Sequence, residues 1–452
     1  MPRSIRRISN AWKNRCISGT LSRHGDFSRC LRGGGSSSSS AQNDKVEGDI
    51  TVWTWEQPGK EFEASAKLFE KKYPGTKVTV ENVGNPAIWD KITTGLAAGG
   101  QGLPDIMNIG IDYIGGYVDK FPDAFVNLND YGAQDLKSDF PEGILESATV
   151  NNNIYGLPFE VNTGALLYDV GIFEKAGVNI DDIKTWDDYL NAGKQIKDKT
   201  GDYLFYMDKA ATGGNPVDLW QIITMLQGTF YFNDNGEIVM NNKNGVKSME
   251  LLKEANDAGL ISDIPASSED SNIKAAKAEN VASFPDRNFL TGIFEKQLPE
   301  YKNRWRVTTL PAVEEGGLTS ALPSANYLSI ANSSKNKKTA WEFIKFTLAT
   351  QEAQSAMYKS QGLFPGYIPF LKSDDMTKEN AYYNNEKIND VYTKQLEDKT
   401  PKLIYTSDYA KAKKALSDAQ TRVLTENADP KQALDEAAQR LSQETGRKLA
   451  SD

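Results

Sequence analysis

Beyond residue 40 the 452-residue chain contains no histidine and no cysteine; His24, Cys16 and Cys30 all fall in the first forty residues. That removes from the body the Ser-His-Asp and Cys-His nucleophile arrangements, His- or Cys-ligated zinc, redox dithiols and disulfides. What remains is carboxylate chemistry, a lysine-based mechanism, a hard cation held by oxygens, or binding without catalysis. Two clusters have the right residue types for such work. Trp55-Glu56-Gln57 and Ile109 to Tyr113 each close a β-rich run, and each sets an aromatic beside an acid or an amide. Gly99-Gly100-Gln101-Gly102 is no phosphate loop: it lacks the lysine-serine pair and follows a helical pattern, so it reads as a helix stop.

The elements that position these clusters follow from periodicity. Ile50 to Trp55 reads as a strand, and Phe62, Ala66, Phe69 and Tyr73 lie at helical spacing before Pro74-Gly75. Lys77 to Val83 is a second strand, Trp89, Ile92, Leu96 and Ala97 an amphipathic helix, and Pro104 to Ile109 a third strand. Strands alternating with helices imply βαβ units and a parallel sheet, whose ligands sit beyond the carboxyl ends of the strands. Later come a capping box at Thr185 to Asp188, a turn at Asn233 to Glu237, and a helix over Val246 to Leu260. Strands are expected at Val281 to Phe284, Arg306 to Pro311 and Tyr327 to Ile330, and helices from Tyr382 onward. Between these halves runs Asn153 to Asp169. Pro158 holds Leu157 in extended geometry, so the segment is a crossover between two domains or a strand and loop within one sheet.

Composition sets the class. Charged residues make up 25% and hydrophobic residues 39% of a chain with net charge −9, which describes a globular protein of about two domains. No run reaches the roughly 18 apolar residues of a membrane span. Residues 1–40 hold eight Lys or Arg against Asp26 alone, so the acidic excess lies wholly in the body. An acidic body argues against nucleic acid as a partner. The head ends in Gly33-Gly34-Gly35 and Ser36 to Ser40, a flexible tether. Secreted lipoproteins of Gram-positive cells often read Ala-Cys-Gly before such a spacer. Cys30-Leu31-Arg32 encoded TGC-CTG-CGG gives Ala-Cys-Gly after a one-base shift. The expectation is a lipoprotein signal out of frame here, on a chain anchored at the extracellular face of the cell membrane.

With these landmarks in order, the sequence resembles the extracellular solute-binding proteins of ABC importers, in the sugar-binding branch that includes maltose-binding protein. The resemblance covers nearly all of residues 48–445. It rests on Ile50-Thr51-Val52-Trp53, Phe69 to Val78, Gly102-Leu103-Pro104-Asp105-Ile106 and Gly115-Gly116-Tyr117. Tyr155-Gly156-Leu157-Pro158 with Leu167-Tyr168-Asp169 follows, then Thr185 to Asp188, Ala340 to Phe346 and Gly362-Leu363-Phe364-Pro365. It implies a two-lobed α/β fold, each lobe a mainly parallel sheet flanked by helices, with a ligand cleft at the hinge. The implied division is an unstructured head and tether over 1–47, an N-terminal lobe of 48–157 with 306–361, and a C-terminal lobe of 158–305 with 362–452. The implied function is an oligosaccharide receptor that hands its ligand to permease subunits, a monomer without cofactor or metal. A carboxylate-pair glycoside hydrolase using Glu160 and Asp112 is the alternative of another class; a receptor for a polyamine or peptide is the alternative within binding.

A sugar presents C–H faces to aromatic rings and hydroxyls to paired donors and acceptors. On the family pattern, Trp55 and Gln57 occupy the first loop with sugar contacts, and Asp112 and Tyr113 the third. Glu160 and Asn162 lie on the crossover, as cleft groups or as a hinge-locking pair. Asn215, Asp218 and Trp220 open a helix at the cleft, with core packing the alternative for Trp220. Asp286, Arg287, Asn288 and Phe289 follow a buried strand where relatives carry a tryptophan; Phe289 is the candidate replacement. Leu363, Phe364 and Tyr409 line the site from late segments, and Trp341 belongs to the core. Because residues 1–40 offer no periodic apolar face, their deletion is expected to leave the melting temperature and ligand affinity unchanged, as thermal melts and titration calorimetry would show.

Overall fold

The computed structural model describes residues 45–210, 217–264, 269–397 and 403–451. The basic head and Asn215 lie outside these residues. Twelve strands form: β1 (Gly48–Thr54), β2 (Thr76–Asn82), β3 (Ile106–Gly110), β4 (Thr149–Val150), β5 (Asn153–Ile154) and β6 (Leu157–Asn162), then β7 (Gly164–Asp169), β8 (Phe205–Met207), β9 (Ile261–Asp263), β10 (Ser283–Arg287), β11 (Trp305–Thr308) and β12 (Ser324–Ile330).

The first sheet has the order β2-β1-β3-β12-β6. Its β1, β2 and β3 are mutually parallel, as alternating strands and helices predict, with Val52 opposite Val80 on one side and Ile106 on the other. The strand β12 runs antiparallel to both β3 and β6. The second sheet, β10-β7-β11, is antiparallel throughout, and β8 and β9 add a short parallel pair. The expected mainly parallel sheets are thus corrected to one mixed and one antiparallel sheet. The reason is chain order: strands that join a sheet after a long excursion are not bound by the βαβ crossover rule.

Only Thr163 separates β6 from β7, so Leu157 to Asp169 passes from the first sheet straight into the second. Of the two readings open at the level of the residues, this is the crossover. All of β6 pairs within the first sheet, and β11 pairs within the second, so the passages between sheets fall at Thr163 and between Thr308 and Ser324. The third passage lies past the helix Gln351–Gln361, where the backbone N–H of Val161 donates to the Phe364 carbonyl and that of Gly366 to the Phe159 carbonyl.

Helices cover the sheets as their apolar stripes require. Phe62 and Phe69 of the helix Glu56–Lys72 and Phe343 and Ile344 of the helix Lys337–Leu348 pack into one core with Val52 and Leu328 of the first sheet. Trp186, Tyr189 and Trp220 centre a second core, closed by the helices Tyr409–Thr425 and Pro430–Thr445. A third joins Ile109 and Val161 of the first sheet to Leu167, Phe284 and Trp305 of the second. The capping box forms as the sequence predicts: the Asp188 N–H donates to Thr185 Oγ1 at 3.2 Å and the Thr185 N–H to Asp188 Oδ2 at 2.9 Å. Trp341 is buried among Phe343, Ile344 and Phe69. Trp341→Ala is expected to lower fold stability by about 3–5 kcal/mol without weakening ligand binding, as denaturant melts beside calorimetric titrations would show.

Candidate functional site

Trp55 follows the carboxyl end of β1, in extended geometry at the start of the helix Glu56–Lys72. Its ring meets Trp89 edge-on at 5.7 Å, and Trp89 stacks on Tyr113 at 4.3 Å with the planes 12° apart. Tyr113 in turn leans on Tyr117 at 5.6 Å. The ladder is braced from behind. The Trp89 Nε1–H donates to Asn85 Oδ1 at 3.1 Å, and the Tyr117 hydroxyl lies 2.9 Å from Thr93 Oγ1. Trp55, Trp89 and Tyr113 stay half-buried, so part of each ring remains accessible. Gln57, two residues on from Trp55, is also half-buried.

Asp112 stands in the first turn of the helix Ile111–Lys120. A Cβ on Gly110 would stand 2.5 Å from its Oδ1, so a larger residue there would force the Asp112 carboxyl to shift. Burial pushes the Asp112 carboxyl up to about 6, with Lys413 and a backbone N–H opposing the rise.

The second sheet contributes an ion-paired cluster at the end of β10. Arg287 donates from Nη2 to Asp218 Oδ2 and from Nε to Asp286 Oδ1 at 3.2 Å. Its guanidinium lies 5.3 Å from the centre of the Phe289 ring. Burial opposes the charge on Arg287, but the two aspartates outweigh it and hold its pKa above the ordinary value. Burial pushes the Asp286 carboxyl up despite Arg287. Tyr206 stands close by, donating to Asn272 Oδ1 at 2.6 Å.

Tyr405 brings the halves together. Burial raises its hydroxyl pKa well above the usual value, with Asp112 adding to the rise and Arg287 opposing it, so groups from both sheets act on one hydroxyl. Its carbonyl lies 3.3 Å from where a Gly115 Cβ would stand. Trp89 and Tyr405 were missed in the sequence. Trp89 matched a helical apolar stripe, and Tyr405 lacked any strand-end context; an aromatic beside Pro86 at a helix start was the one available signal.

Several expected site residues have other surroundings. Trp220 is fully buried and donates its Nε1–H to the Gly245 carbonyl at 2.9 Å, so no face is open for stacking. Tyr409 is buried against Phe230, Tyr231 and Tyr405, and its hydroxyl accepts from Gln221 Nε2 at 2.9 Å. Both were expected to line the site; their rings are spent on the core. Glu160 and Asn162 are buried in the crossover. Asn162 Nδ2 donates to Glu160 Oε1 at 3.2 Å and Asn326 Nδ2 to Glu160 Oε2 at 2.8 Å, the hinge-locking alternative. Asn288 is buried too, donating from Nδ2 to the Val161 carbonyl at 3.1 Å and from its backbone to the Thr163 carbonyl at 2.9 Å. The Leu363 N–H donates to the buried Glu61 carboxyl at 3.1 Å, and Phe364 packs edge-on against Tyr392. Burial, reinforced by Glu160, pushes the Glu61 carboxyl well up. Trp55, Asp112 and Tyr113 therefore form one group with Trp89, and Asp218, Asp286, Arg287 and Phe289 a second.

No group of three or more His, Cys, Asp or Glu that could hold a metal exists among the described residues, and no helix among them is long and apolar enough to cross a membrane.

Residues 53–354 match the family described as bacterial extracellular solute-binding protein. The arabinooligosaccharide-binding protein of Bacillus subtilis (strain 168) is 28% identical over 424 residues, covering 90% of this chain and 95% of that relative. A solved structure of an extracellular solute-binding protein family 1 matches with a TM-score of 0.75 at 21% identity, over 87% of this chain and 99% of the other. The ABC transporter associated binding protein of B. animalis subsp. lactis Bl-04, solved with beta-1,6-galactobiose, gives 0.71 at 24% identity, over 90% and 100%. These likenesses carry the two-lobed α/β fold with mixed sheets. By the match over residues 53–354, the chain belongs to the bacterial extracellular solute-binding proteins.

Proposed function

We propose that this protein is the carbohydrate receptor of an ABC-type importer, capturing an oligosaccharide between its lobes and presenting the closed form to permease subunits. The observation that carries this reading is the half-buried ladder of Trp55, Trp89 and Tyr113 beside the Asp112 carboxyl. Stacked aromatic faces suit the C–H faces of pyranose or furanose rings, and a carboxyl beside them suits the hydroxyls. At the end of β10, Arg287 is held between Asp218 and Asp286, so its positive charge is compensated, as suits a ligand without a negative charge. The arabinooligosaccharide-binding name of the Bacillus subtilis relative supports the same class. In this reading one lobe comprises residues 45–162 with 324–361, the other 164–322 with 362–451, and Gln57, Tyr405 and Phe289 complete the cleft. The receptor acts as a monomer, and the basic head with its Gly/Ser tether supports lipid anchoring at the outer face of a Gram-positive membrane.

A glycoside hydrolase needs two carboxyls free to reach the scissile bond. Glu160, one of the pair considered, is buried and bonded to Asn162 and Asn326, which speaks for the receptor. Measured turnover of any oligosaccharide would overturn that choice.

Trp89→Ala and Tyr113→Ala are each expected to lose roughly 2 kcal/mol or more of oligosaccharide affinity in calorimetric titrations, with melting temperature little changed. Unchanged affinity in both would place the stacking surface elsewhere. Asp112 adds a pH signature. Its carboxyl titrates near 6 in the free protein, and the carboxylate is the form that accepts hydroxyl hydrogen bonds. Affinity is therefore expected to rise from pH 5 to pH 7, a rise that Asp112→Asn abolishes. Fold stability without ligand has the opposite sign. A carboxyl whose folded pKa exceeds its unfolded value of about 3.9 contributes fully below that value, and the contribution is lost as pH climbs through 6.

A further inference from the structure

The helix Ile111–Lys120 carries Asp112 and, one turn on, Gly115-Gly116. Glycine is the poorest helix former short of proline, and among the described residues no other helix holds two in succession. Ile111, Ile114, Tyr117 and Val118 are buried in one core with Met107 and Ile109 of β3. Asp112, Gly115 and Gly116 share the other face, at i, i+3 and i+4. What lies on that face is backbone. A Cβ at Gly115 would stand 3.3 Å from the Tyr405 carbonyl oxygen, and one at Gly116 would stand 3.2 Å from Ser407 Cα and 3.4 Å from its nitrogen. By contrast, a Cβ at Gly292, in the helix Phe289–Gln297, would meet nothing within 4 Å. The segment 405–407 belongs with the second lobe, where the Tyr405 ring packs on Phe230 at 5.3 Å and on Tyr409 at 4.7 Å. It is also braced. The Tyr409 N–H donates to the Thr406 carbonyl at 3.0 Å, the Asp408 N–H to Thr406 Oγ1 at 3.2 Å, and Arg447 Nε to Asp408 Oδ2 at 2.8 Å. A braced backbone gives little way to an added side chain.

We infer that Gly115 and Gly116 are positioning residues for capture: bare of side chains, they let the second lobe settle on the helix that carries Asp112. The inference rests on the receptor reading and adds what sets the separation of the lobes beside the ligand. The glycines lie one turn from the Asp112 carboxyl, and the Tyr405 carbonyl that rests against Gly115 belongs to the residue whose hydroxyl feels Asp112 and Arg287 together. A side chain added at Gly116 therefore pushes apart the two surfaces that hold the ligand. A substitution that disfavours this approach without touching the ligand lowers affinity by the population it removes.

The test measures lobe separation and capture independently. Small-angle X-ray scattering is recorded on the ligand-free full chain as wild type, Gly116→Ala, Gly116→Leu and the control Gly292→Ala. The same four proteins are melted, and are titrated calorimetrically with maltotriose, xylotriose and arabinotriose in turn. Alanine and leucine are strong helix formers, so the melting temperature of the Gly116 variants is expected to hold or rise. Their radius of gyration is expected to exceed that of the wild type, more for leucine than for alanine. A trisaccharide that the wild type binds is expected to bind Gly116→Leu about tenfold or more weakly, and Gly292→Ala to match the wild type throughout. If Gly116→Leu does not melt cooperatively, Gly116→Ala carries the comparison. An unchanged radius, an unchanged affinity, or an equal affinity loss in Gly292→Ala overturns the inference. The scattering needs no ligand, so a wild type that binds none of the three sugars counts against the receptor reading while the radii still decide this one.

Discussion

Everything in this molecule hangs on four consecutive residues, Val161 to Gly164, and on how their backbone is held. The chain changes sheets here with one residue to spare. A segment with that little slack cannot leave its peptide groups unpaired in the interior. Asn288 holds the Val161 and Thr163 carbonyls, and Gln395 donates to the carbonyl of Gly164. Glu160 collects the amides of Asn162 and Asn326 and so ties β6 to β12 by side chains as well as by the ladder. Carboxylate and amide are used here as clamps. Glu160 and Asn162, open in the sequence as cleft groups or as a hinge-locking pair, are bonded within the crossover.

On the proposed reading, the strand-end surfaces divide the labour between them. The first lobe supplies flat apolar faces, with one carboxyl whose proton affinity burial has lifted into the physiological range. The second supplies Arg287, fixed by paired acids before any ligand arrives. Fixing a guanidinium in advance lowers the ordering cost of binding, and pairing it keeps the field in the cleft small. The buried hydroxyl of Tyr405 lies within electrostatic reach of both Asp112 and Arg287.

Much of the architecture was legible. Alternating Ile50 and Val52 identified the first strand, helical spacing of Phe62 and Phe69 the helix behind it, and Thr185 with Asp188 a cap that forms atom for atom. These are local signals, carried by neighbours in sequence. What escaped was non-local. The direction of β12 depends on where the chain has been since β3, and no pattern within Ser324–Ile330 records it. The site suffered likewise. Trp55 and Tyr113 announced themselves at strand ends, but Trp89 is distinguished from a core residue only by the Tyr113 face it meets across a turn of chain. Trp220 and Tyr409 show the converse: polar edges that could have met a ligand instead meet Gly245 and Gln221.

The place of β12 has a consequence for biogenesis. The first sheet is severed in sequence: β3 ends at Gly110, yet its neighbour β12 begins at Ser324, after the whole of the second sheet has been made. Until that strand is synthesised, β3 and β6 present bare edges and the Asn326 amide is missing from Glu160. Pairings so distant along the chain form slowly, since loop closure must precede them. A nascent chain of this design stays without the strand that joins β3 to β6 until most of its length exists. The first sheet can therefore be completed only after every strand of the second has been made.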